Sequence, residues 1–159
     1  CEYLKSVKFE GNSQLISIGK CAFFSTRISK IFIPNHVNQI EKSAFDDCSN
    51  LKTVEFMEES ELISIGKKAF AACSIENLLI PSKVKNLCEL AFSFCNELET
   101  VEILGNCLNC DQFCFKGCKS LKIISFPNIK ELKIAGNAFV ETFDDFLLFA
   151  CGSSKLDIF

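Results

Sequence analysis

"LISIGKCAF" at Leu15–Phe23 returns as "LISIGKKAF" at Leu62–Phe70, with one difference in nine positions. Internal repetition this close outranks local propensity in deciding a fold, because each unit must bury its apolar side against the next. Used as a template, the stretch finds an Ala-Phe or Cys-Phe pair ending at Phe23, Phe45, Phe70, Phe92, Phe115 and Phe139, spaced by 22, 25, 22, 23 and 24 residues. Five residues before each Phe stands an apolar or thiol residue: Ile18, Ile40, Ile65, Leu87, Cys110 and Ile134. Eight before it stand Leu15, Val37, Leu62, Val84 and Cys107, a column that fails at Glu131. Three after it stand Thr26, Cys48, Cys73, Cys95, Cys118 and Thr142.

Beyond that last column comes a strand-like alternation. It reads Ile28-x-x-Ile31-x-Ile33, Leu51-x-x-Val54-x-Phe56, Ile75-x-x-Leu78-x-Ile80, Leu98-x-x-Val101-x-Ile103 and Leu121-x-x-Ile124-x-Phe126, and Leu4-x-x-Val7-x-Phe9 fits it as well. A period of about 23 residues with one such strand per unit belongs to a solenoid, whose coils touch only their neighbours. Each coil is then expected to give one strand to a parallel sheet. Pro34, Pro81 and Pro127 follow three of these strands and end them, since proline has no ladder donor. A second extended piece such as "LISIG" runs back along another face, and Ala-Phe-x-x-Cys is expected to form a helical turn that drops the Phe into the core.

The unit "LKTVEF…LISIGKKAFAAC" resembles the leucine-rich repeats of the BspA-like type, found in surface-antigen families of microbes and protists. The likeness covers residues 1–142. It implies an α/β leucine-rich repeat solenoid, right-handed and horseshoe-like, β-rich with short helical turns. The chain therefore reads as a single domain over 1–159 with about six repeats, of which 143–159 form a degenerate terminal one. Gly19 and Gly66 show the family form, and Glu41, Cys88, Asp111 and Ala135 depart from it; these units are expected to turn less ideally, because a left-handed residue there favours Gly or Asp. Phe146–Cys151 reads as one more strand or a distorted coil. Cys1 precedes Leu4 by three residues, as Cys48 precedes Leu51, so it reads as the last core position of an earlier repeat and the chain as part of a longer array.

"CLNCDQFCFKGC" sets Cys107, Cys110, Cys114 and Cys118 within twelve residues, and four thiolates in reach would close a zinc or cluster site. The repeat offers a plainer account. Cys107 and Cys110 stand in the columns of Leu15 and Ile18, Cys114 in that of Ala22, and Cys118 in the terminal column, all core positions. Buried free Cys acts as a small hydrophobe. Disulfides between coils face a torsion problem, since equivalent side chains in stacked coils point the same way, and eleven cysteines leave one unpaired. A reduced ladder points to a cytoplasmic setting, whereas the resemblance points to the cell surface.

Catalytic patterns are missing. The sequence carries no Gly-x-Ser-x-Gly, no dinucleotide fingerprint, no phosphate-binding Gly-Lys loop and no Asn-x-Ser/Thr acceptor. His36 falls in the turn "IPNHV", where Lys83 stands in "IPSKV", and reads as a solvated loop residue. The acidic pairs Asp46-Asp47, Glu58-Glu59 and Asp144-Asp145 read as solvated turns. A net charge of −3 argues against a basic nucleic-acid surface, and no apolar run approaches the ~20 residues of a membrane helix. Neither a catalytic residue nor a cofactor is expected.

Surface remains. The strand's outward columns hold Lys8, Lys30, Phe32, Lys52, Thr53, Glu55, Glu76, Asn77, Leu79, Glu99, Glu102 and Ile123, the candidate binding face, with Phe32 and Leu79 flanking Glu55 in one column. Three functions follow: a noncatalytic recognition module for a protein or other macromolecule, which the resemblance extends to adhesion; an intracellular scaffold with reduced core cysteines; or a metal protein through Cys107–Cys118.

Overall fold

A computed structural model describes residues 2–10, 12–142, 147–150 and 155–158, with side chains at 2–10, 12–106 and 108–142. Its strands are β1 (Ser17–Ile18), β2 (Lys30–Ile33), β3 (Gln39–Ile40), β4 (Thr53–Phe56), β5 (Ser64–Ile65), β6 (Asn77–Ile80), β7 (Asn86–Leu87), β8 (Thr100–Ile103), β9 (Cys107–Cys110), β10 (Ile123–Phe126), β11 (Glu131–Ile134), β12 (Leu147–Ala150) and β13 (Lys155–Ile158). Every pairing is parallel and joins one coil to the next. The even strands form the leucine-rich face. The odd ones form a second, seven-stranded sheet in the order β1-β3-β5-β7-β9-β11-β13. Alternation does what a half-buried strand requires: in β2, Ile31 and Ile33 are buried while Lys30 and Phe32 face out, and β6 repeats the pattern.

The expected helical turn around each Phe does not form. Among the described residues these segments are chains of tight turns, as at Ala22 N–H to Gly19 O, 3.2 Å, and Thr26 N–H to Phe23 O, 3.2 Å. An α-helix directs its donors to carbonyls four residues back, whereas here alternate donors reach the following coil: Cys21 N–H to Lys42 O (3.1 Å), Phe23 N–H to Ala44 O (2.8 Å) and Ser25 N–H to Asp46 O (2.9 Å). The same trio recurs from Ser43, Phe45 and Asp47, from Lys68, Phe70 and Ala72, and from Leu90, Phe92 and Phe94. These bonds make a third interlocked face. To aim alternate donors outward the chain enters left-handed backbone two residues before the Phe, at Cys21, Ser43, Lys68, Leu90 and Phe113, and two after it, at Ser25, Asp47, Ala72, Phe94, Gly117 and Glu141. Each non-glycine there costs roughly 1–2 kcal/mol, offset by the inter-coil bonds and the burial they permit.

Left-handed backbone is therefore not what the "Ile-Gly" column supplies. Neither the two glycines nor Glu41, Cys88, Asp111 or Ala135 has a positive φ. At Gly66 the reason is close approach, because an added Cβ would lie 2.8 Å from Ile40 O and 2.9 Å from Glu41 C. Gly66→Ala is accordingly expected to cost about 1–3 kcal/mol through overpacking. At Gly19 nothing lies within 4 Å of such a Cβ, so Gly19→Ala should leave the urea midpoint close to wild type, and a matched pair of denaturant melts compares the two.

The Phe column forms the spine. Rings of Phe23, Phe45, Phe70, Phe92, Phe115 and Phe139 stack with centroids 5.0–5.5 Å apart and planes within 12° of parallel. This separation slightly exceeds the ~4.8 Å between strands, as an offset stack demands. On the second face the inward column shifts along the array. Leu62 and Ile65, then Val84 and Leu87, are buried three residues apart, a spacing that a period-two strand cannot sustain, and β5 and β7 stop at two residues. In the next coils Leu108 and Cys110, then Leu132 and Ile134, are buried two apart, and β9 and β11 extend to four. The failure of the column at Glu131 is thereby explained: the inward residue there is Leu132.

The leucine-rich face is not continuous. It divides into β2-β4 and β6-β8-β10-β12, with no ladder between β4 and β6, and residues 4–9 form no strand against β2. Both interruptions precede a coil with a short corner. Thr26 to Ile28 and Cys73 to Ile75 span two residues, whereas Cys48 to Leu51, Cys95 to Leu98 and Cys118 to Leu121 span three. In the longer corners Leu51, Leu98 and Leu121 each donate N–H to the Cys carbonyl three residues back, at 2.9–3.2 Å, which sets the following strand in register. The terminal strand expected over 146–151 is β12 at 147–150; Phe146 and Cys151, like Cys1 and the pair Asp144-Asp145, lie outside the described residues.

Candidate functional site

The strand face gathers the outward residues into a ribbon of interlocked charges. Lys30 Nζ lies 2.6 Å from a Glu55 carboxylate oxygen, Lys52 3.0 Å from Glu76, and Lys122 3.1 Å from Glu99, each pair bridging neighbouring coils. Thr100 donates its hydroxyl to Asn77 Oδ1 at 2.6 Å. Exposed pairs of this kind contribute little stability; their effect here is to present a fixed, mutually neutralised polar field. The Glu76 carboxylate beside Lys52 holds that ammonium's pKa above its ordinary value. Within this field Phe32 stays 49% exposed, Leu79 50% and Ile123 38%, and Lys30 Nζ sits 4.4 Å above the Phe32 ring. Lys8 and Glu102 are also exposed and Thr53 is half-buried, but Lys8 precedes the first ladder and stands apart from the paired strands.

At the seam between β4 and β6 the face opens into a groove of about 780 Å³ that takes in Glu55 and Leu79. His36 borders it, with Nδ1 3.6 Å from a Glu61 carboxylate oxygen and both side chains exposed. Sequence reasoning found neither the groove nor the His36–Glu61 contact, because both depend on the two extra residues between Phe56 and Leu62 relative to Ile33 and Val37.

The described thiols of the terminal column turn to backbone carbonyls. Cys48 donates to Phe23 O at 2.9 Å, Cys73 to Phe45 O at 3.2 Å, Cys95 to Phe70 O at 3.1 Å and Cys118 to Phe92 O at 3.1 Å. Each of these Cys is thus a donor to the Phe carbonyl one coil back, whereas the two Thr of the column bond differently, Thr26 Oγ1 lying 3.4 Å from Cys48 Sγ and Thr142 donating to Phe139 O in its own coil at 2.7 Å. Burial pushes the Cys95 thiol up to about 12 and raises Cys48, Cys73 and Cys118 as well. Burial, reinforced by the Cys110 side chain, raises Cys114 well above the ordinary range. Thiols held this firmly protonated are poor metal ligands. Among the described residues no group of three or more His, Cys, Asp or Glu could hold a metal ion; the Cys107 side chain lies outside them. No helix there is long and apolar enough to cross a membrane.

Against this geometry, the family model described as BspA type leucine rich repeat region (6 copies) matches residues 1–64 and 58–144. The chain belongs to the BspA-type leucine-rich repeat family. A leucine-rich repeat protein from Bacteroides ovatus shares the fold, at 23% identity and a TM-score of 0.54, over 89% of this chain and 45% of that one. The chain spans less than half the length of that protein. The pneumococcal vaccine antigen PcpA aligns at 18% identity and a TM-score of 0.49, over 98% of this chain and 63% of its own. A leucine rich cell surface protein from Faecalibacterium prausnitzii aligns at 17% and 0.43, over 87% and 52%. A search of curated proteins gives no match.

Proposed function

We propose that this BspA-type array is a noncatalytic recognition module that binds a protein or other macromolecule on its leucine-rich strand face, at a cell surface. The observation that carries the reading is the half-exposed column of Phe32 and Leu79 set among charges already paired with one another. Apolar anchors surrounded by polar contacts are the usual source of binding energy at a protein interface, and a solenoid offers them in an extended row. Adhesion is the use that family resemblance favours. The buried thiols do not argue for a reducing compartment, because desolvated, protonated sulfurs react slowly in any setting.

Phe32→Glu, Leu79→Glu and Ile123→Glu, made singly and confirmed folded by circular dichroism, test the face. Partners retained by the immobilised wild-type chain, identified by mass spectrometry and rebound as purified proteins, should lose binding at least tenfold with one or more of these variants. Equal binding by all three variants overturns the assignment.

A further inference from the structure

We propose that the groove at the β4–β6 seam binds a Lys- or Arg-bearing segment of a protein partner, with an aliphatic residue beside the cation. This rests on the recognition reading above and names the chemistry of what is recognised. The last residue of the leucine-rich strand is buried in the other coils, at Ile33, Ile80, Ile103 and Phe126, but its counterpart Phe56 is only half-buried. Its ring, together with Met57 at 40% exposure and Leu79 at 50%, gives the groove an apolar floor. The turn that follows, "MEESE", carries Glu58, Glu59 and Glu61 along the rim. Glu55 is neutralised by Lys30 and Glu61 faces His36, while Glu58 and Glu59 have no ion-pair partner among the described residues. Lys83 is the only Lys or Arg among the residues lining the groove.

The wall is therefore acidic and the floor greasy. A Lys or Arg side chain matches both at once, because its methylene stem covers apolar surface while its head stays at the polar edge. The groove's volume falls in the range of ~300–1,000 Å³ that holds a few side chains. An acidic peptide would meet two unpaired carboxylates, and like charge brought together at an interface is strongly unfavourable.

Fluorescence anisotropy with short fluorescein-labelled peptides carrying Arg or Lys between Leu and Val, and with their Asp-substituted counterparts, tests the proposal on the whole chain. The basic peptides should bind, weaken several-fold as salt rises, and lose about tenfold in affinity with the Glu58→Lys, Glu59→Lys double variant. Lys119→Ala, exposed and outside both the groove and the candidate face, should leave them unaffected. Equal affinity for the Asp peptides, or no effect of the charge reversal, overturns the groove assignment. If basic peptides fail while Phe32→Glu or Ile123→Glu still releases a purified partner, the groove proposal falls and the recognition reading stands. If neither peptides nor face variants show an effect, both fall.

Discussion

Phe70→Ala is expected to destabilise the chain by about 3–5 kcal/mol, the range for emptying a fully buried aromatic site. Phe70 has no exposed surface and its ring is stacked on both sides, 5.0 Å from Phe45 and 5.4 Å from Phe92. The substitution removes the ring from the core and also two aromatic pairs, each contributing about 0.5–1.5 kcal/mol beyond burial. The gap would be slow to close, because the Phe70 backbone is fixed by its own bond to Ala91 O at 2.8 Å and by the Cys95 thiol on its carbonyl. Urea melts of Phe70→Ala beside Lys52→Ala, whose side chain stands in solvent, check it. The second should match wild type, and a small, equal effect at both sites would mean that the stacked column is not the spine.

The second large effect concerns pH. Cys73, Cys95, Cys114 and Cys118 all hold their protons more firmly in the folded state than the ordinary thiol value of 9.0. The unfolded chain releases these protons near pH 9 while the folded chain keeps them, so the unfolded state binds fewer protons and stability falls as pH rises. Each thiol steepens the fall by about 1.4 kcal/mol per pH unit. The four together give about 5 kcal/mol per unit, beginning near pH 9 and, for Cys95, persisting to about 12. A total stability of about 5–15 kcal/mol would be exhausted within a few pH units. Calorimetry on reduced protein from pH 8 to 11 measures the slope, and Cys95→Ala should lessen it by about one thiol's share. A flat profile between pH 9 and 10, or an unchanged slope in Cys95→Ala, would contradict the assignment of buried, protonated sulfurs.

What was legible in the sequence is whatever repeats at fixed spacing. The Phe column, the strand alternation and the burial of the terminal Cys column follow from counting residues, because stacked coils must place like residues at like heights. Less visible was anything that depends on backbone donors, which leave no residue signature. The third hydrogen-bonded face is written in Ser43, Lys68, Leu90 and Phe113, residues with no common chemistry that are forced alike into left-handed backbone. The inward shift at Leu108 and Leu132 was readable in principle, since Glu131 broke its column while an apolar neighbour stood one place on. The candidate face was legible as columns, and Lys52–Glu76 and Glu99–Lys122 are neighbours within one of them, but the Lys30–Glu55 pair was not, because those two occupy different columns and meet only diagonally across coils.

The missing ladder between β4 and β6 has a mechanical meaning. Across that step the second sheet continues through β5 and β7, and the turns remain tied from Lys68 to Glu89 and from Phe70 to Ala91. The two blocks are thus laced by backbone along two sides and held on the third by side chains, the Lys52–Glu76 ion pair at 3.0 Å and the Ser74 hydroxyl donating to Ser49 O at 2.8 Å. The steps with the shorter corner are the ones without a backbone ladder on this face, so corner length sets where neighbouring coils are joined there by main chain and where by side chains.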